Sequence, residues 1–97
     1  MANLGIAKNT IEIIQKYEFA FQKRFGQNFL VDTRVLEKII QAAGLTKEDM
    51  VLEIGPGIGT MTQYLAEHAG RVVAVEIDAN LLPILDETLR DYDNVTV

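Results

Sequence analysis

Met50, Val51, Leu52 and Ile54 form a short apolar run, broken only at Glu53, which predicts a strand buried on both faces of a parallel sheet. Gly55, Gly57 and Gly59 follow at alternate positions, and Thr60, Met61 and Thr62 lead into helical spacing: strand, tight turn, helix. Met61, Leu65, Ala66 and Ala69 give that helix an apolar face, and Gly70 reads as its stop. RVVAVEID at 71–78 is rich in β-branched residues and predicts a second buried strand. Strand, helix and strand within about thirty residues make a βαβ unit, which is right-handed in nearly all folds. Asp78 or Asn80 then caps a further helix carrying Leu82, Leu85 and Leu89, where Pro83 is tolerable because first-turn amides have no intrahelical partner. Asn94-Val95-Thr96-Val97 reads as the beginning of a third strand. A domain boundary belongs in an exposed linker, so this ending predicts a truncated piece of a longer chain.

Upstream, Asn9 and Glu12 read as a capping box for a short helix with Ile11, Ile14 and Tyr17 on one face, ending near Glu18. FAFQKRFGQNFL at 19–30 interleaves aromatics with Lys23 and Arg24 and suits no regular element. Asp32 or Thr33 caps the next helix, whose apolar face is Val35, Leu36, Ile39, Ile40 and Ala43, and Gly44 ends it as a left-handed residue. The fold class is therefore α/β and Rossmann-like, N-terminal part only: βαβα plus the start of a third strand, preceded by helices.

Composition narrows the chemistry. A chain of 97 residues, 48% hydrophobic and 24% charged, is globular in character and has room for one small domain. It has no cysteine and a single histidine, His68, expected on the solvent side of its helix, so no metal site is expected. No leader-like start and no long apolar run is present, which predicts a soluble, cytoplasmic protein with no membrane partner. Residues 1–38 carry six Lys/Arg against four acids, net +2, while residues 39–97 carry three against ten, net −7. A polyanion would meet the N-terminal part first.

The glycine turn offers bare backbone to a ligand crossing the carboxyl edge of the strand, where a β-carbon would hold it off. The pattern Glu-x-Gly-x-Gly-x-Gly departs from the dinucleotide fingerprint, whose third glycine falls where this chain has Thr60. It looks more like the first motif of S-adenosylmethionine-dependent methyltransferases. Glu76, at the end of the second strand, can accept both hydroxyls of a ribose lying across the turn. NAD uses such an acid too, but Glu53 would sit badly beside a pyrophosphate, whereas S-adenosylmethionine brings a sulfonium and an amine. Glu53 can equally hold the loop by bonding backbone amides, and the two roles are compatible.

FGQNFL at 25–30, EIGPGIG at 53–59 and VEID at 75–78, in this order and spacing, resemble the ribosomal RNA adenine N6,N6-dimethyltransferases, the KsgA and Erm-like family. The resemblance runs from around Phe19 to Val97. Pro56 within Gly-Pro-Gly fits the ribosome-maturation branch better than the antibiotic-resistance branch, which acts on large-subunit rRNA. It implies methyl transfer from S-adenosylmethionine to two adjacent adenosines near the 3′ end of small-subunit rRNA, with the 30S subunit as partner. It also implies that residues 1–31 are an N-terminal helix and cofactor-covering loop, and that 32–97 begin a methyltransferase domain. Gln27, Asn28 and Leu30 would lie nearest the methionine end, Gly55 and Gly57 would line the adenosyl group, Glu76 would hold the ribose and Ile77 would pack on adenine. Glu53 joins this cofactor set, and Lys23 and Arg24 would touch RNA phosphate.

Adenine N6 is a poor nucleophile, so catalysis should rest on positioning an unstacked base. The family does this with an Asn-Leu-Pro-Tyr type motif, absent here, so no catalytic residue is assigned to the chain and it is expected to be inactive alone. The whole enzyme is expected to be a monomer, while the piece would self-associate through the open edge of the first strand. Alternatives are a non-catalytic RNA-binding or ribosome-assembly factor of the same fold, an Erm-type large-subunit rRNA methyltransferase and, more distantly, a nicotinamide-dependent oxidoreductase.

Overall fold

The computed structural model describes residues 3–17 and 32–97. The elements run α1 (Ala7–Lys16), α2 (Thr33–Ala43), β1 (Met50–Ile54), α3 (Thr60–His68), β2 (Arg71–Val75), a 3-10 turn (Ala79–Leu81), α4 (Leu82–Thr88) and β3 (Val95–Thr96). The strands form a parallel sheet in the order β1-β2-β3, with Met50 opposite Arg71, Ile54 opposite Val75 and Val72 opposite Val95. This is the α/β architecture that the alternation of apolar runs and helical spacing predicts.

Side chains alternate across each strand, so one face of the sheet carries Val51, Val72 and Ala74 and the other Met50, Leu52, Ile54 and Val75. The first face packs against Leu36 and Ile40 of α2 and Tyr64, Leu65 and Ala66 of α3. The second face is open: Met50, Leu52 and Ile54 are 69%, 63% and 72% exposed. That corrects the expectation of a strand buried on both faces, because among the described residues the helices cover one side only. A second apolar cluster joins Leu4, Ile13, Ile58, Leu81 and Ile84, with Tyr17 at its margin, and so fastens α1 beneath the glycine turn. Each fully buried aliphatic side chain contributes about 1.5–3 kcal/mol.

Helix α1 begins two residues before Asn9 and has no side-chain cap. The Asn9 amide instead donates to the Asn3 carbonyl at 2.9 Å, and the inward face is Thr10 and Ile13, with Ile11 exposed. The capping-box reading fails because the turn at 3–6 already starts the helix, Ile6 N–H donating to Asn3 O at 3.2 Å. Asp32 does cap α2, accepting from Arg34 N–H at 2.8 Å, and Gly44 closes it at φ +60°. Leu36 and Ile40 point inward there, while Val35 and Ile39 remain exposed. Asp78 caps the 3-10 turn, and Pro83 falls in the first turn of α4, whose inward residues are Ile84, Leu85 and Thr88; Leu82 faces out.

Gly70 is not a left-handed stop. Helix α3 ends in extended backbone at Ala69, and Gly70 is there for space: a β-carbon on it would stand 2.0 Å from the Lys47 carbonyl oxygen. The loop before β1 crosses directly over the start of β2 and accepts Gly70 N–H on Asp49 O at 2.9 Å. Lys47 completes the closure, its ammonium donating to Glu67 O at 2.9 Å and Ala69 O at 3.3 Å.

Candidate cofactor-binding site

At the carboxyl end of the sheet the chain leaves β1 through Gly55, at φ +71°, and Gly55 N–H still bonds Val75 O on the neighbouring strand at 2.8 Å. A side chain there would be strained by that backbone, yet a β-carbon would meet nothing within 4 Å. The bend thus presents bare backbone toward open space. It closes with Gly59 N–H donating to Pro56 O at 2.9 Å, directly ahead of α3.

The rear of the turn is locked by buried polar groups. Thr88 donates its hydroxyl to Ile58 O at 2.7 Å, and the Gln63 side chain donates to Thr88 O at 2.9 Å while accepting Leu4 N–H at 3.0 Å. Thr10 ties in by donating to Leu4 O at 2.6 Å. No buried side-chain polar atom among the described residues lacks a partner, as burial requires. The turn is held from behind and left open in front.

Two carboxylates flank it. Glu76 bridges the glycine turn to the chain beyond β2: Oε1 accepts Gly57 N–H at 3.1 Å and Oε2 accepts Asp78 N–H at 3.0 Å. Glu76 thus meets the glycine bend directly, through a backbone amide. Glu53 lies two residues before Gly55 and accepts the Thr62 hydroxyl. Burial pushes the Glu53 carboxyl above the usual carboxylate range, and the Thr62 hydrogen bond pulls the other way. Among the described residues no backbone amide donates to it and no cation pairs with it, so there the loop-holding role is not made through amides. Ile77 stands 83% exposed beside the same bend.

Gly55, Gly57, Glu53, Glu76 and Ile77 thus converge on one end of the sheet. Gln27, Asn28, Leu30, Lys23 and Arg24 lie outside the described residues. His68 is exposed on α3, its Nδ1 2.9 Å from Tyr64 O. Among the described residues no group of acids and histidine could hold a metal ion, and no helix is long and apolar enough to cross a membrane. Sequence reasoning passed over Thr62, Gln63 and Thr88. Their signal was polar residues at positions one helical turn from apolar core residues, which a face-counting approach treats as solvent-facing.

The parallel α/β sheet that carries the glycine bend and the acid has the fold of methyltransferases of known structure. The described fold is similar to a 23S rRNA methyltransferase, ErmE, at TM-score 0.67 and 40% identity, over 72% of this chain and 29% of that one. It is also similar to a dimethyladenosine transferase from Plasmodium falciparum at TM-score 0.62 and 34% identity, over 68% of this chain and 25% of that one. In sequence, a family model described as ribosomal RNA adenine dimethylase matches residues 18–97. The chain belongs to the ribosomal RNA adenine dimethylase family. It is 68% identical, over its whole length, to a ribosomal RNA small subunit methyltransferase A of Lachnoclostridium phytofermentans, and spans 34% of that relative's length.

Proposed function

We propose that this chain supplies the first part of the S-adenosylmethionine cradle of an enzyme that dimethylates adenine N6 in small-subunit rRNA. The carrying observation is the hydrogen bond from Gly57 N–H to Glu76, which joins the bare bend and the strand-end acid into one site. Its residues fit the cofactor by their own chemistry. Gly55 leaves room for a nucleoside to approach backbone, the remaining lone pairs of Glu76 suit ribose hydroxyls, exposed Ile77 offers an apolar seat for adenine, and Glu53 is a carboxylate that pairs with no cation among the described residues. When bound, S-adenosylmethionine supplies an electrophilic methyl group on sulfur. The chain's own contribution is binding and orientation: fixed donors and acceptors hold the nucleoside, and the packed rear of the turn keeps them from moving.

In this reading residues 1–31 form the N-terminal helix and covering segment, with Gln27, Asn28 and Leu30 on the methionine end, and 32–97 begin the methyltransferase domain. Lys23 and Arg24 are placed on rRNA phosphate, where cations add sequence-independent affinity. The small-subunit rRNA target is supported by the name of the relative that is 68% identical, and the 30S subunit is the partner this reading adds. A cytoplasmic location follows from that partner. The free edge of β1 and its open apolar face favour self-association of residues 1–97 by themselves, to be checked by sedimentation against a monomer of the full-length protein.

The test is methylation of unmodified small ribosomal subunits with labelled S-adenosylmethionine. A full-length protein carrying this sequence is expected to transfer label to small-subunit rRNA, and residues 1–97 alone to transfer none. Transfer to large-subunit rRNA instead, or turnover by residues 1–97, would overturn the reading.

A further inference from the structure

Thr62 is fully buried on the inner side of the first turn of α3, and its one hydroxyl proton goes to Glu53 Oε1. A helical threonine ordinarily bonds back to the carbonyl four residues earlier. Here that carbonyl belongs to Ile58 and already accepts the Thr88 hydroxyl at 2.7 Å. Thr62 instead turns its hydroxyl toward the strand, where its proton fixes one carboxylate oxygen of Glu53. Among the described residues nothing donates to the other oxygen, Glu53 Oε2.

The place of that oxygen gives it a use. Glu76 follows Val75, which is opposite Ile54, so it stands level with Gly55; Glu53 is on the adjacent strand, two residues before the bend. Neighbouring strands lie about 4.8 Å apart. A nucleoside whose ribose is held by Glu76 has its 5′ substituent free to cross the bare bend toward β1, where Glu53 pairs with no cation among the described residues.

We propose that Thr62 is a positioning residue: it orients the Glu53 carboxylate so that the second oxygen receives the ammonium of the cofactor's amino-acid tail. This rests on the cofactor reading above. Thr62 is fully buried and acts only through Glu53. Removing its proton leaves a half-buried carboxylate free to rotate or to take up a proton, and either change weakens its attraction for a cation.

The experiment compares two ligands by calorimetry in a full-length protein carrying this sequence: S-adenosylmethionine, and 5′-methylthioadenosine, which has the same nucleoside and no ammonium. Thr62→Val keeps shape and loses the donor. It is expected to weaken S-adenosylmethionine about tenfold, the worth of a hydrogen bond to a charged group, with 5′-methylthioadenosine changed less than about twofold. Thr62→Ser is expected to restore the wild-type ratio. Should Thr62→Val fail to fold, Glu53→Gln carries the test and is expected to give the same selective loss. Equal weakening of both ligands, no weakening of either, or no rescue by serine overturns the role of Thr62. If the wild-type protein binds neither ligand, the cofactor reading itself fails and this proposal with it.

Discussion

The two ends of the sheet use glycine in opposite ways. At the amino end, the bare α-carbon of Gly70 is occupied by the protein's own backbone, the Lys47 carbonyl, and the surrounding carbonyls are closed off by Lys47 and by Asn94, whose amide donates to Ala66 O at 2.8 Å and Ala69 O at 3.2 Å. At the carboxyl end, Gly55 has an unusual backbone and nothing against it. The first glycine is explained by packing within the chain. The second leaves an open approach that no described residue fills, with carboxylates on either side. Space consumed internally marks structure, and space kept free marks a place for something else.

Substitution at the two ends should separate these roles. Gly70→Ala is expected to have the largest effect, a loss of about 3 kcal/mol or more, because a backbone oxygen 2.0 Å from the new carbon cannot move without dragging the loop before β1. Chemical denaturation of the full-length protein measures it, and a loss below about 1 kcal/mol would erase the distinction between the ends. Gly55→Ala is expected to cost only about 1–2 kcal/mol in the same assay, from positive φ alone. It should nonetheless weaken S-adenosylmethionine binding by more than about tenfold, since the methyl group fills the approach to bare backbone.

Protonation sharpens the contrast further. Tyr92, near the amino end, donates to Glu67 at 3.1 Å, and burial, with the Glu67 charge and hydrogen bond, pushes its phenol up to about 12. The folded value lies above the unfolded one, so this contribution is complete below pH of about 10 and is lost as pH rises through about 12. Alkaline titration of tyrosine absorbance, against Tyr92→Phe, follows it. At the carboxyl end Glu53 is also raised by burial, but there the hydrogen bond from Thr62 opposes the shift. Between its unfolded and folded values the native state holds the extra proton, so stability declines as pH rises through that window while cofactor affinity grows. Glu53→Gln should flatten both trends, the smallest of these effects on stability.

Much of this was legible in the chain. Apolar runs at 50–54 and 71–75 predicted the paired parallel strands because β-branched and aliphatic residues at that density suit little else, and the acid after one meets the glycine turn after the other. Three motifs in order led to the family. What local pattern could not convey was the environment outside each segment. A continuous apolar run looks the same whether one sheet face is covered or both, which is how the open side of Met50, Leu52 and Ile54 was missed. A glycine after a helix looks the same as a left-handed stop and as clearance for a carbonyl twenty-three residues earlier in sequence, as Gly70 turned out to be. The Thr62–Glu53 and Gln63–Thr88 bonds join different elements, and spacing alone carries no signal for them.

The most direct measurement of the cradle is calorimetric titration of S-adenosylmethionine into a full-length protein carrying this sequence, with and without Glu76→Ala. Loss of charge-assisted bonds to ribose is expected to weaken binding about ten- to a hundredfold while the folded structure is retained. Unchanged affinity in Glu76→Ala would contradict a shared site at the glycine bend.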